Sequence, residues 1–166
     1  MNIFVLDRDP TKAASMLCDK HVVKMIVETA QMLCTTAHVN GYTSAPYKAT
    51  HKNHPCTLWS NESAANWDWL VTHGEAMCAE YTRRYGRTHK TQAVIDWCKK
   101  SNVGPQKNIG LTPFKQAMPV MYKNADPVKA YRDYYRGEKS GFAKWRANPP
   151  VWWDKKEEKQ AYQIIS

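Results

Sequence analysis

Residues 19–35 read DKHVVKMIVETAQMLCT, and at helical spacing this stretch has two unlike faces. One face is apolar, which predicts a long amphipathic helix packed into a core. The other face carries polar side chains at intervals of three and four residues, namely His21, Lys24, Glu28, Gln31 and Thr35. An imidazole, an ammonium and a carboxylate in register are what proton-transfer chemistry needs. The alternative is a solvated face on which Lys24 and Glu28 form an ordinary ion pair one turn apart.

The composition of the chain indicates a single globular domain over residues 1–166. It has 43% hydrophobic and 23% charged residues, which is enough apolar material for a core. No apolar run is long enough to cross a bilayer, and MNIFVLDRDP at the start lacks the features of a secretory signal. Five widely spaced cysteines, an odd number, favour reduced thiols over disulfides. We expect a cytoplasmic protein with no membrane partner, and we expect it to be a monomer.

Helix start and stop signals predict an all-α fold, a compact helical bundle with a short extended N-terminal arm. The arm is the apolar, β-prone segment 2–6. Asp-Pro, Thr-Pro and Gly signals place helices at about 10–38, 57–85, 88–100, 113–119 and 127–139, and a charged segment at about 154–162 follows as a short helix. The segment 41–55 between the first two helices is a loop long enough to suggest a function.

The net charge of +9 lies after residue 83, since the first half of the chain is close to neutral. From about residue 126 a basic aromatic C-terminal segment interleaves Tyr and Trp with Arg and Lys, a composition suited to phosphate neutralisation and base stacking. About half of these rings are expected to be structural. We expect a nucleic-acid partner, with a merely basic surface as the alternative. The candidate contacts are Lys20, His54, Asn66, Arg83, Arg84, Arg87, Arg132, Arg136, Lys144 and Trp145.

The loop before the second long helix contains an HxxHxC pattern formed by His51, His54 and Cys56. This spacing is only loosely that of metal ligands, and the second half of a zinc pattern is missing. We therefore expect no metal site and assign His54 to a phosphate or carbonyl contact.

Several blocks of the chain together resemble the phage-type pyrimidine-dimer DNA glycosylase/AP lyase family. Asp19-Lys20-His21 followed by Glu28 is similar to the Asp-x-His and later Glu of that family. The run from Pro55 through Leu70 to Gly86 is similar to its next long helix, and Tyr131 to Tyr135 to its aromatic C-terminal segment. The chain also resembles small phage proteins that carry CDKHVVKM- and NHPCTLW-like blocks.

The resemblance implies a DNA N-glycosylase, with a possible AP lyase step, that acts on duplex DNA with a flipped base and needs no cofactor. In the family an α-amine attacks the sugar C1′ beside a cyclobutane dimer and forms a Schiff base. Glu28 would be the acid and base, with His21 and Arg8 near the opened sugar or its phosphate. A phage enzyme of this kind would work in the cytoplasm of the host cell.

The amine is where the chain departs from the family pattern. The family exposes the amine of a small residue by removing the initiator Met, whereas here Met1 is followed by the larger Asn2. The amine is then that of Asn2, or it is shifted by one residue to Met1. Lys24 or Lys20 is a substitute if its pKa falls far enough through burial.

Two other functions fit the same residues. The first is a phage enzyme that modifies a nucleobase or nucleotide, with Glu28 and His21 acting on an extruded base. The second is a non-catalytic nucleic-acid-binding or host-interaction protein, which requires only the basic aromatic surface.

Overall fold

The computed structural model of this chain describes residues 1–153. It contains six α-helices: α1 Pro10–Met16, α2 Asp19–Val39, α3 Pro55–Ser60, α4 Ala64–Tyr85, α5 Gln92–Ser101 and α6 Pro127–Glu138. Two short 3-10 turns lie at Val120–Tyr122 and Val151–Trp153. No strand occurs between residues 1 and 153, so the predicted all-α fold is confirmed. The charged segment predicted as a helix at 154–162 lies outside the described residues.

The first predicted helix, 10–38, is in fact two helices that are separated at Leu17 and Cys18. Both residues have extended backbone and are completely buried. The amide of Cys18 donates to the Tyr135 hydroxyl at 3.1 Å, a contact that a continuous helix would deny it. Tertiary hydrogen bonding therefore overrides the local helical pattern here, and it turns the start of α2 toward α6.

The second predicted helix, 57–85, is also divided, because a distant loop occupies the start of α4. The amide of Ala64 donates to the carbonyl of Lys107 at 2.8 Å, and the Ser63 hydroxyl pairs with the Asn108 side chain. Gly86 ends α4 with φ at +67°, in the left-handed region that glycine tolerates.

The N-terminal arm is buried, as predicted, and it runs between α2 and α6. It contains no helix or strand, but it is not extended throughout, because the amide of Leu6 donates to the carbonyl of Phe4 in a tight turn. The Phe4 ring stacks on His21 of α2 with centroids 4.4 Å apart and contacts the rings of Tyr131 and Tyr135 of α6. Arg132 of α6 donates to the carbonyl of Leu6 at 2.9 Å. The arm thus carries the N-terminus into the groove between these two helices.

The helix predicted after Thr112-Pro113 does not form. The backbone amide of Thr112 donates to Oδ1 of Asn66, and its hydroxyl donates to Glu62, so tertiary partners hold this segment in an irregular path beside α4. By contrast, α6 begins where predicted, with the Asp126 side chain accepting from the amide of Val128. Within the described part of the chain, no helix is long and apolar enough to span a membrane.

Candidate active site

A polar cleft of about 190 Å³ opens where the arm meets α2 and α6. One wall is formed by the arm and the polar stripe of α2, and the other by the loop before α6 and by α6 itself. Its lining residues are Met1, Asn2, Phe4, His21, Lys24, Met25, Glu28, Ala117, Tyr134 and Lys139. The four residues predicted to be catalytic all line this cleft. His21, Lys24 and Glu28 are on α2, and Asn2 follows the N-terminal residue.

The most specific feature of the cleft is an ion pair between the N-terminus and Glu28. The α-amino nitrogen of Met1 lies 3.0 Å from Oε1 of Glu28, and their side chains are only 4% and 13% exposed. Glu28 is thus paired with the terminal amine and not with Lys24, contrary to the alternative of an ordinary ion pair along α2. Lys24 lines the same cleft but is exposed to solvent.

Asn2 fixes the terminal amine in position. Its Nδ2 donates to the carbonyl of Ala117 at 2.8 Å, and its Oδ1 accepts from the Tyr131 hydroxyl at 2.8 Å and from the amide of Ile3. Because the side chain of Asn2 is occupied by these three contacts, its role is to anchor the arm. The amine at this end of the cleft, which is paired with Glu28, is that of Met1.

His21 is a buried, neutral imidazole at the other end of the polar stripe. Its Nδ1 lies 2.6 Å from the Tyr135 hydroxyl, and one face of the ring covers Phe4. Burial first, and then the positive charges of Lys139, Lys24 and Lys20 in that order, together lower the pKa of His21 to about 3. His21 therefore acts as a hydrogen-bonding group and carries no charge at neutral pH.

The wall opposite α2 contains a basic aromatic cluster drawn from the C-terminal segment whose composition the sequence analysis noted, although Lys139 was not among the candidate site residues. Nζ of Lys139 lies 4.8 Å from the ring centroid of Tyr134 and 5.8 Å from that of Phe4. Lys20 approaches the Phe142 ring in the same way, at 4.8 Å. The sequence placed Lys139 in the basic aromatic segment, and the folding of α6 against the arm brings it to the cleft.

His54 lies near the Glu28 end of the cleft. It caps α3, with Nδ1 accepting from the amide of Cys56. Its pKa is lowered by burial first and then by the positive charges of the Met1 amine and His51, while Glu28 opposes them. His54 thus lies close enough to both members of the ion pair to feel their charges, whereas His21 is two turns away from Glu28 on α2. Among residues 1–153, no group of three or more His, Cys, Asp or Glu side chains is placed to hold a metal ion.

Two predicted DNA contacts are corrected by the structure, because their side chains are buried. Asn66 is completely buried and bonds to Trp59 and Thr112. Arg84 has a side chain only 1% exposed, and it bonds to Glu80, to Asp19 and to two backbone carbonyls. Both groups are needed inside the fold, so neither can reach DNA.

Three further candidates serve mainly to hold the C-terminal segment. Arg132 is bonded to the arm, and Arg136 donates to the carbonyl of Trp152 and pairs with Asp133. The indole of Trp145 donates to the carbonyl of Met16 at 3.0 Å. These side chains pack with the rings of Tyr135, Trp152 and Trp153. The remaining candidates are at the surface: Arg8, Lys20, Arg83, Arg87 and Lys144.

The structure is thus that of a small all-α protein in which a terminal amine is paired with a helical carboxylate, in a cleft that Lys24 and Lys139 also line. A family model described as pyrimidine dimer DNA glycosylase matches residues 1–93, and the chain belongs to this family. It is accordingly a DNA glycosylase-like repair enzyme with DNA as its substrate. No curated protein and no solved structure matches the chain.

The family match covers only some of the residues that line the cleft. It includes the arm, α1 to α4 and therefore the Met1–Glu28 pair. It ends before the wall that Ala117, Tyr134 and Lys139 provide. The Met1–Glu28 pair thus lies in the matched part, and three of the ten residues that line the cleft lie beyond it.

Proposed function

We propose that this protein is a DNA N-glycosylase with AP lyase activity, acting on a damaged or modified pyrimidine in duplex DNA. The nucleophile is the α-amine of Met1, and Glu28 is the acid and base. The observation that carries the proposal is the 3.0 Å approach of the amine to the Glu28 carboxylate inside a partly closed cleft. A nucleophile within hydrogen-bond distance of its base is the arrangement that covalent catalysis requires.

In the first step the ammonium of Met1 gives a proton to Glu28, and its lone pair attacks C1′ of a flipped nucleotide. The bond between C1′ and the base nitrogen breaks, and the base leaves with the electron pair and takes the proton from Glu28. The C1′–O4′ bond then opens as a proton moves from the amine nitrogen to O4′. The product is an iminium ion that links Met1 to the opened sugar.

In the second step the Glu28 carboxylate removes a proton from C2′. The electron pair forms the C2′–C3′ double bond, and the bond from C3′ to the phosphate oxygen breaks. Water then hydrolyses the iminium ion and frees the Met1 amine. Lys24 and Lys139, on opposite walls, are placed to neutralise the phosphates on either side of the flipped nucleotide.

Borohydride trapping tests this proposal. The protein, tagged only at its C-terminus, is incubated with an abasic duplex and with ultraviolet-irradiated duplex, and the adduct is mapped by peptide mass spectrometry. We expect a covalent adduct on the Met1 nitrogen, unchanged in Lys24→Arg and absent after acetylation of the terminus. An adduct on Lys24 or Lys20 would refute the assignment of the amine. A changed nucleoside mass without strand scission would instead indicate base modification.

A further inference from the structure

The loop that forms one wall of the cleft has an apolar tip that faces solvent. Val120 and Met121, in the 3-10 turn that follows Pro119, are 80% and 79% exposed. Exposing two large apolar side chains side by side is costly, since each forgoes the free energy of burial. Such a feature commonly marks a surface that is covered when a partner binds.

The tip is held by a well-bonded base. Gln116 and Asn124 bridge the two ends of the loop, with Nε2 of Gln116 donating to the carbonyl of Asn124 and Oε1 accepting its amide. The hydroxyl of Tyr122 donates to Glu138 of α6. A Cβ on Gly137 would come within 2.2 Å of that hydroxyl, so α6 accommodates Tyr122 closely. These hydrogen bonds therefore hold the backbone on both sides of Val120 and Met121 in place.

The same loop is continuous with the cleft. Ala117 lines the cleft and accepts the hydrogen bond that anchors Asn2. The ring of Tyr122 lies 5.5 Å from that of Tyr134, which also lines the cleft. Met121 is thus followed directly by Tyr122, whose ring packs against Tyr134 in the wall of the cleft.

The surroundings of the tip are basic. Lys123, two residues after Met121, is exposed, and Lys115, at the base of the loop, is 45% exposed and lies 3.6 Å from Glu62. An apolar tip flanked by cations suits a polyanion with an apolar interior. Duplex DNA has that character, because its stacked bases lie between two rows of phosphates.

We propose that Val120 and Met121 form a wedge that enters the base stack of duplex DNA beside the cleft. Apolar side chains inserted at a base step unstack it and kink the duplex. Here the wedge would fill the space left when the target nucleotide rotates toward Met1 and Glu28. This inference rests on the DNA glycosylase function proposed above. It assigns a DNA-binding role to a loop that lies beyond the residues of the family match.

The test uses a duplex with a tetrahydrofuran abasic analogue, which cannot react with the amine, next to a 2-aminopurine reporter. Binding of the unaltered protein should raise the 2-aminopurine fluorescence as the base unstacks. The double variant V120S/M121S should bind roughly tenfold more weakly and lose most of the fluorescence rise, given the size of base-stacking free energies. The matched control is V39S/I109S, which changes two exposed apolar residues elsewhere and should behave like the unaltered protein.

The result of this wedge test can be distinguished from the result of the borohydride trapping test. Glu28→Gln should keep the full fluorescence rise even though it cannot complete the reaction. If no imine is trapped on any substrate, the proposed function fails, yet the tetrahydrofuran duplex still reports whether the tip unstacks bases. The wedge is refuted if V120S/M121S, with an unchanged thermal melt, gives the same affinity and fluorescence as the unaltered protein. It is also refuted if the variant alters only the sedimentation coefficient, because the tip would then contact protein.

Discussion

The terminal nitrogen of Met1 and Oε1 of Glu28 are 3.0 Å apart and largely shielded from solvent. This relationship joins the two groups that an imine-forming glycosylase needs, and it depends on a short arm that ends against the middle of α2.

Glu28→Gln should lower the rate of strand cleavage by about 10²–10⁴-fold, because proton transfer to and from the reacting atoms is lost. Single-turnover kinetics on an abasic duplex measure this effect. Glu75→Gln is the matched control, since Glu75 is an ion-paired glutamate on α4 that contacts Lys99. Equal rates for Glu28→Gln and Glu75→Gln would remove Glu28 from the mechanism.

Arg84→Ala should destabilise the fold by about 3–5 kcal/mol, because it leaves the buried carboxylate of Glu80 without its buried partner. Arg83→Ala should cost no more than about 1 kcal/mol, since Arg83 is 67% exposed. Urea unfolding of the two variants measures the difference. Similar free energies of unfolding would contradict the structural role given to Arg84.

Lys24→Gln and Lys139→Gln should each reduce the salt dependence of DNA binding. A lost phosphate contact lowers the slope of log K against log salt by about 0.9. The measurement is a fluorescence anisotropy titration at several salt concentrations. Lys99→Gln, which removes an equal charge that is paired with Glu75, should leave the slope unchanged. A slope that falls equally in all three variants would indicate only a general effect of charge.

Acid should destabilise the protein through two buried histidines. Burial lowers the pKa of His21 to about 3 and that of His73 to about 4, while in the unfolded chain both bind a proton near pH 6.5. The unfolded state therefore holds more protons between these values, so stability falls as pH falls through this window. Above about pH 6.5 neither histidine contributes.

The contribution of His73 can be isolated by substitution. His73→Asn keeps an amide donor near the position of Nδ1, which bonds to the carbonyl of Pro10. The variant should lose up to about 1.4 kcal/mol per pH unit of the slope of unfolding free energy between about pH 4 and 6.5. Urea titrations across this range supply the slope. An unchanged slope would mean that His73 takes up its proton in the folded state.

Local pattern was sufficient to predict α2, its polar stripe and the start of α6, because helical periodicity and capping residues are properties of neighbouring positions. It was insufficient at Leu17 and Cys18, where hydrogen bonding to Tyr135 of a distant helix breaks the pattern. The helix expected after Thr112 failed for the same reason, since Asn66 and Glu62 take its polar groups.

Arg83 and Arg84 show why the candidate DNA contacts could be predicted only in part. The two residues are identical and adjacent, yet successive positions on a helix point about 100° apart, so one faces solvent and the other faces the α1–α2 junction. Lys139 shows the reverse case. Its place in the basic aromatic segment indicated a nucleic-acid contact in general terms, and only the packing of α6 against the arm shows that it lines the cleft.

The anchoring of Asn2 by Ala117 and Tyr131 has a consequence for the timing of activity during synthesis. The second residue to be translated is held by two that are translated late. A growing chain therefore has a terminal amine but no cleft around it until α6 has emerged from the ribosome. The pocket around the Met1–Glu28 pair is therefore completed only when the fold is nearly complete, and truncated chains that lack α6 should lose the imine formation proposed above.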